Sequence, residues 1–386
     1  MVRKMKDSGI EWIGEIPEGW KLSKIKYVTN CLDGRRIPIA SNKREDGIYP
    51  YWGAGSIQGF VNDYLFDEEI VLLGEDGAPF FDKYRDVAFL IDYKAWVNNH
   101  IHVLKGTKIE NEFLVYFLNV VDYRQYINGS ILNKLTQNNM NNINIVYPPM
   151  DEQINIIKFL KNKLKRTNEI INIITLEIEN LENYKKSLIT EAVTKGLDKN
   201  VPMKDSGIEW IGEIPKHWEL PAAKYHINIF NGSDPSEEGE VPVYGSGEGV
   251  FRYSKEYKLG PTVLLGRKGT IENPKYIEGK YWNVDTAFNV YTEKTLNLKF
   301  YFYLSKIFDY KKYITSTALP SMTKENYQNM KISYPDIIEQ KAIVFYLDNK
   351  CKIIDETISL KQKQLQSLEE YKKSLIYEYV TGKKED

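Results

Sequence analysis

Two long stretches of the chain repeat apolar residues at alternating intervals of three and four. The first runs through Ile157, Leu160, Leu164, Ile171, Ile174, Ile178, Leu181, Leu188 and Ala192, and is interrupted at Thr167 and Lys185. The second runs through Val344, Leu347, Cys351, Ile354, Ile358, Leu365, Leu368, Leu375 and Tyr379, and is interrupted at Lys361 and Lys372. A 3.5-residue apolar period held over about five heptads predicts coiled-coil helices, because an ordinary amphipathic helix drifts at 3.6. Asp151 stands where an N-cap belongs, after Pro148-Pro149, with Glu152 in the first turn where the helix dipole favours acid. Gly196 and Gly382 are placed to close the two helices as C-cap glycines. At ~1.5 Å per residue each helix would run roughly 65 Å. Such a stripe can pack on its own domain, but two in one register are most simply buried against each other, antiparallel about a pseudo-twofold axis. Cys351 then behaves as a small buried hydrophobe.

The register is shared because the chain is written twice. Met5–Trp20 reads MKDSGIEWIGEIPEGW and Met203–Trp218 reads MKDSGIEWIGEIPKHW. Leu181–Ile189 matches Leu368–Ile376, and Glu152-Gln153 matches Glu339-Gln340. Between these ends only scattered correspondences remain, such as Val71-Leu-Leu-Gly74 with Val263-Leu-Leu-Gly266. A repeat of this length is a whole domain with its appendage rather than a solenoid unit. The division expected is 1–148, a first globular domain; 149–197, a first helix; 198–335, a second globular domain; and 336–386, a second helix.

Within the globular parts, Ile70 to Leu73, Val87 to Ile91, His100 to Leu104, Thr262 to Leu265 and Ala287 to Tyr291 read as short strands between Gly, Pro, Asn and Asp clusters. Phe113 to Leu118 and Phe300 to Leu304 read as helices. The fold class is therefore α+β: two tandem mixed α/β domains related by pseudo-twofold symmetry, separated by two long helices forming an antiparallel coiled coil.

Composition narrows the chemistry. The chain has 386 residues, 52 Lys+Arg against 53 Asp+Glu, and 28 Tyr, a globular balance with net charge −1. Charge alone disfavours a nucleic-acid ligand, which only a local concentration of positive groups could restore. Two distant cysteines, Cys31 and Cys351, support neither a disulfide framework nor a zinc ribbon. No apolar run approaches a membrane span, so a cytoplasmic setting without membrane contact is expected.

No phosphate-cradling loop is present, since Gly266-Arg-Lys-Gly269 has the wrong frame, and no catalytic triad can be assembled. Gly53-x-Gly55-x-x-x-Gly59 is a glycine turn, and Tyr147-Pro148-Pro149 is a turn that starts a helix. His100 and His102 alternate on a predicted strand and would share a face, as two metal ligands could, but no third ligand is apparent. The informative contrast is between Gly74-Glu75-Asp76-Gly77 and Gly266-Arg267-Lys268-Gly269. These are either two solvated turns or corresponding loops that offer acidic and basic chemistry to different ligands. Tyr310, Lys311, Lys312, Tyr313, Thr315, Ser316, Thr317, Ser321, Thr323 and Lys324 gather cations, hydroxyls and aromatics upstream of the second helix. Tyr123, Arg124, Tyr126, Asn128, Ser130, Lys134, Thr136 and Gln137 do so before the first. Such groups contact phosphates and base edges.

The sequence closely resembles the specificity subunit of type I restriction-modification enzymes. The resemblance rests on Asp-Ser-Gly-Ile-Glu-Trp-Ile-Gly-Glu-Ile-Pro before each domain, Tyr-Pro…Glu-Gln at the start of each helix, and Leu-Glu-x-Tyr-Lys-Lys-Ser-Leu-Ile near each helix end. It implies two target-recognition domains, each reading one half of a bipartite asymmetric double-stranded DNA site. The helices would set the spacer length and dock two methyltransferase subunits, with restriction/translocase subunits in the full complex. The chain would be non-catalytic and carry no cofactor or metal of its own, S-adenosylmethionine, ATP and Mg belonging to partner subunits. With DNA as the ligand, the candidate contacts are Ser56, Gln58, Glu75, Asp76, Asn98, His100, Lys134, Thr136 and Gln137 in the first domain. In the second they are Ser246, Arg267, Lys268, Thr270, Ser316, Thr317, Thr323 and Lys324. Two rivals stand beside this reading: a stalk presenting sugar- or peptide-binding domains, and an enzyme that itself methylates DNA, for which no donor-binding motif is found.

Overall fold

A computed structural model describes residues 3–82, 84–127, 133–314 and 319–385. The chain divides into two compact units, 1–175 with 362–386, and 176–361. Each long helix is cut near its middle by this division, so each unit holds the start of one helix and the end of the other.

In the first unit the repeated motif forms a hairpin of β1 (Met5–Asp7) and β2 (Glu15–Pro17). The sequence Asp-Ser-Gly is spelled out by the turn: Asp7 accepts from the Gly9 N–H, Ser8 Oγ accepts from the Ile10 N–H, and Gly9 sits at φ +69°, where a Cβ would be strained. Next come β3 (Lys21–Lys24), α1 (Ile25–Val28), β4 (Thr29–Cys31), β5 (Tyr49–Trp52), β6 (Ile57–Val61), β7 (Ile70–Gly74), β8 (Ala88–Ile91), β9 (Trp96–Val97), β10 (Ile101–Gly106), α2 (Asn111–Leu118), α3 (Gln137–Asn141), β11 (Asn144–Tyr147) and the long α4 (Met150–Lys195). The main antiparallel sheet runs β4-β10-β7-β8, and a smaller one runs β6-β5-β9. The strands and the helix expected at 70–73, 87–91, 100–104 and 113–118 correspond to β7, β8, β10 and α2.

The second unit repeats this plan. Its hairpin is β12 (Met203–Asp205) with β13 (Glu213–Pro215), with the same turn bonds from Asp205 and Ser206. Then follow β14 (Ile227–Asn231), β15 (Val241–Tyr244), β16 (Arg252–Ser254), β17 (Lys258–Leu259), β18 (Thr262–Gly266), β19 (Lys275–Ile277), β20 (Lys280–Asn283), β21 (Ala287–Thr292), α5 (Leu298–Ser305), α6 (Lys324–Asn329) and α7 (Ile337–Val380). The sheet β14-β21-β18-β19 corresponds strand for strand to β4-β10-β7-β8.

The recurring Glu-Gln pair has a distinct task for each residue. Glu152 accepts from the Trp20 indole at 3.0 Å and Glu339 from Trp218 at 3.2 Å, tying each hairpin to a helix start. Gln153 and Gln340, both buried, accept from the Glu110 and Asn297 N–H groups and donate to the Pro148 and Pro335 carbonyls. The helix starts themselves differ. Asp336 caps α7, accepting from the Ile338 and Glu339 N–H groups, whereas α4 begins at Met150, so Asp151 lies inside the first turn rather than at the N-cap. Gly196 and Gly382 close the helices at φ +74° and +72°.

The 3.5-residue stripe is the buried face of both helices. Each of its apolar positions is wholly or partly buried, as are the interrupting Thr167, Lys185, Lys361 and Lys372. In the first unit Phe159 stacks on Tyr379 at 4.5 Å, and Ile156 and Leu160 share a core with Leu375, Ile376 and Val380. In the second, Lys185 meets Asp355 at 2.6 Å and Glu177 meets Lys361 at 2.7 Å, so numbers rise on one helix as they fall on the other. The pairing is antiparallel, and the seam lysines are satisfied by carboxylates at its margin. Cys351 is buried with Leu188, Ala192 and Leu347. Truncating the seam at Leu347→Ala is expected to lower stability by about 2–5 kcal/mol. Ile353→Ala, on the exposed side of α7, should change it by less than about 0.5 kcal/mol. Urea denaturation of the two variants checks the contrast.

Candidate nucleic-acid interface

The two loops singled out by sequence follow β7 and β18 and are held in one backbone cradle. The Glu75 and Asp76 N–H groups face the His100 carbonyl; those of Arg267 and Lys268 face the Thr286 carbonyl. Gly77 N–H donates to Asn133, and Gly269 N–H to Pro320. Leu135 N–H donates to Glu75, and Met322 N–H to Arg267. Thr136 then caps α3 through Asn139, and Thr323 caps α6 through Asn326. Each loop is thus clamped between the start of a central strand and the segment that leads to a short helix, and the two frames correspond bond for bond.

Side chains within the frames do not correspond. In the first, His102 is fully buried; its Nδ1 lies 2.6 Å from Asp33 and its Nε2 2.8 Å from the Leu135 carbonyl. Asp33 also accepts from the Val103 N–H, and Arg36 bridges Asp33 and Glu75 at 3.2 and 2.7 Å. Burial alone would raise the Asp33 carboxyl, but the hydrogen bond and charge of His102, the Val103 N–H and Arg36 together hold it below its ordinary value. At the place of His102 in the sheet register the second frame has Phe288, and the Arg267 guanidinium lies 5.9 Å from its ring. The carboxylate Glu75 accompanies an imidazole and a guanidinium; the guanidinium Arg267 accompanies an aromatic face.

These contacts correct the histidine reading. His100 and His102 do not share a face: β10 starts at Ile101, His100 is exposed beside Asp76 at 3.2 Å, and His102 lies in the core. Asp33 and Glu75 do approach His102 closely, a convergence that the sequence did not reveal. Arg36 neutralises that cluster as a closed ionic network. Glu75 is likewise not displayed as a free acceptor, since its oxygens face Arg36 and Lys134.

Of the remaining candidates, Asp76 joins His100 and Lys134, so Glu75, Asp76, His100 and Lys134 form one cluster. Asn98 is buried beneath it and accepts from the His100 N–H. Arg267 and Lys268 converge on Asp285 at 3.9 and 3.7 Å, with Ser246 donating to the Lys268 carbonyl from below. Ser56 and Gln58 bond to each other, Gln137 donates to the Cys31 sulfur, and Thr270 and Lys324 stand exposed. Ser316 and Thr317, with Thr315, Asn128 and Ser130, lie outside the described residues. Asp33, Arg36, Asp285 and Phe288 carry no local sequence signal, because each acts on residues distant in the chain, 18 positions away for Asp285 and Arg267 and 69 for Asp33 and His102.

Comparison with known proteins bears on this arrangement. A family model described as the type I restriction modification DNA specificity domain matches residues 17–180 and again 226–370. The chain belongs to that family. It carries two copies of the domain, and each copy contains one of the cradled loops. A putative type I restriction enzyme specificity subunit from Haemophilus influenzae is 28% identical over 382 residues, covering 93% of this chain and 95% of the relative. A putative MjaX specificity subunit from Methanocaldococcus jannaschii is 26% identical, covering 96% and 95%. A structure described as showing complex assembly and conformational transition of the type I R-M system matches with a TM-score of 0.70 at 14% identity, covering 95% of this chain and 98% of that one, a likeness of fold. None of the described helices is long and apolar enough to cross a membrane.

The buried network gives a pH-dependent expectation. A carboxyl with a depressed folded-state pKa stabilises above its ordinary value of 3.8 and loses that contribution as pH falls through the folded value. Asp33→Asn should cost about 3 kcal/mol at neutral pH, because it removes the buried charge that His102 and Arg36 face and leaves Arg36 with Glu75 alone. The difference from the parent should shrink as pH drops below 3.8, measured by urea unfolding across pH.

Proposed function

We propose that this chain reads a bipartite, asymmetric DNA site: the domain at 1–148 reads one half and the domain at 198–335 the other. The observation that carries this reading is a single backbone frame, built twice by the same hydrogen bonds and lined by different side chains. A duplicated reader facing two different base sequences needs such a frame. In the major groove, sequence is read by donor and acceptor patterns on base edges, so exchanging side chains on a fixed frame exchanges the sequence read.

The helices act as the spacer, since half-sites one turn apart lie about 34 Å from each other along one face of the duplex. They also dock two methyltransferase subunits. In favour of docking, α7 exposes Ile338, Phe345, Ile353 and Leu360; at about 100° per residue these project away from its seam, so a second apolar face awaits a partner. S-adenosylmethionine, ATP and Mg are assigned to the methyltransferase and restriction/translocase subunits, and the complex works on DNA in the cytoplasm. This chain selects the site and catalyses nothing.

With a net charge of −1, the chain alone is expected to bind DNA weakly, with strong salt-dependent binding only in the assembled complex. Co-expression with a methyltransferase subunit should yield a discontinuous methylated motif, read by methylation sequencing. Replacing residues 1–148 by the corresponding domain of another family member should change one half of it, and an unchanged motif overturns the assignment. Arg267→Ala should relax discrimination at one position of the second half-site by about 1–3 kcal/mol if the guanidinium reads guanine. A uniform loss over all sequences would assign Arg267 to phosphate.

A further inference from the structure

The acidic and basic loops present more similar chemistry than their sequences suggest. In the first frame, Asp76 contacts two exposed nitrogen side chains, Lys134 at 3.0 Å and His100 at 3.2 Å. In the second, Asp285 lies 3.9 Å from Arg267 and 3.7 Å from Lys268, and Arg267 also donates to the Asp285 carbonyl at 3.2 Å. The constellation is one carboxylate shared by two nitrogen side chains in each frame, but the suppliers are exchanged. In the first unit the loop gives the carboxylate, and the strand start and the segment before α3 give the nitrogens. In the second the loop gives both cations and the strand start gives the carboxylate.

We propose that Asp76 and Asp285 are positioning residues of the two readers, aiming Lys134 and Arg267 at acceptor edges of bases, with His100 and Lys268 as the second arm of each pair. The proposal rests on the DNA-reading function above and deepens it: the first domain uses nitrogen donors rather than the carboxylates of its acidic loop. Three features support it. Asp76 has its oxygens turned to Lys134 and His100, which removes it as an acceptor for cytosine N4 or adenine N6. Lys134 and His100 keep about half of their side-chain surface exposed, 46% and 52%, whereas Glu75 keeps 13%. A long side chain pinned near its tip, as Lys134 is by the Asp76 carboxylate and Arg267 by the Asp285 carbonyl, has fewer rotamers to lose on binding, which favours a directed hydrogen bond over a diffuse phosphate contact. Guanine, with O6 and N7 on one edge, is the base that matches such donors.

The test uses the complex assembled with its methyltransferase subunits and selection from a randomised duplex library. Lys134→Ala and Asp76→Asn should each relax guanine discrimination in the first half-site by roughly 10-fold and leave the second unchanged. Arg267→Ala and Asp285→Asn should do the converse. Asp76→Glu should restore more discrimination than Asp76→Asn, with thermal melting unchanged across the set. Replacing the selected guanine by 7-deazaguanine should weaken the parent complex but add little further loss to Lys134→Ala. The proposal is overturned if Lys134→Ala weakens all sequences equally, if the base pair it affects is A·T, or if Glu75→Gln relaxes the first half-site while Lys134→Ala and Asp76→Asn do not. Should Lys134→Ala fail to assemble, Lys134→Gln takes its place under the same criteria. If the parent complex selects no bipartite motif at all, the DNA-reading function fails, a result distinct from each of these.

Discussion

The antiparallel seam between α4 and α7 is the constraint on which the rest of the structure depends. A helix of more than forty residues carries an apolar stripe that no single small domain can cover along its length. The 3.5-residue period keeps that stripe on one side throughout and suits it to a second helix of the same kind. Because the partners run antiparallel, the start of each is buried with the end of the other. Each core is therefore completed by a segment from the opposite repeat: Leu375 and Ile376 in the first unit, Leu188 and Ile189 in the second. The hairpin tryptophans and the Glu-Gln pairs anchor the helix starts, so identical sequence is retained where identical geometry must be built twice.

Fixing the scaffold in this way frees the loops. Backbone bonds to residue 100 or 286, and to the segments at 133–135 or 320–322, hold each loop whatever its side chains are. What varies must then be compatible locally rather than globally. An arginine in place of Glu75 within an otherwise unchanged first frame would set a third cation beside Arg36 and Lys134. In the second frame Arg267 lies instead beside the Phe288 ring, with Asp285 nearby. Under the proposed function, specificity is therefore a property of compensated groups of residues. Single loop positions cannot be exchanged independently when the groups around them are half-buried, because an unpaired charge there is expensive.

This distinction also explains what was legible in the sequence. The repeat, the seam, the C-cap glycines and the principal strands follow from local periodicity and self-similarity, and the structure matches them. Asp151 stands two positions past the N-cap of α4, because Pro148-Pro149 and Asp336 start the two helices differently, a difference that the aligned repeats conceal. The histidine pair failed for another reason. Alternation predicts a shared face only inside a strand, and β10 begins between the two residues. The ionic network around His102 has no local sequence signal, because Asp33 lies 69 positions earlier, in the turn that follows β4.

Near-neutral overall charge acquires a specific meaning in this setting. If the chain supplied its own electrostatic attraction to DNA, its exposed cations would be in excess and free of carboxylates. Instead Lys134, Arg267 and Lys268 each sit beside a carboxylate. Such pairing sacrifices long-range attraction, which any polyanion satisfies, and keeps orientation, which only a matching base edge satisfies. For a subunit whose task is discrimination, that exchange is favourable provided that another component brings the duplex close. Phosphate contacts raise affinity for every sequence alike and so add nothing to the ratio by which one site is preferred. Under the proposed function, a reader that leaves those contacts to its partners is silent on DNA until it is assembled. The coupling of recognition to assembly that this proposal entails then needs no separate device, since it follows from where the positive charge is and is not.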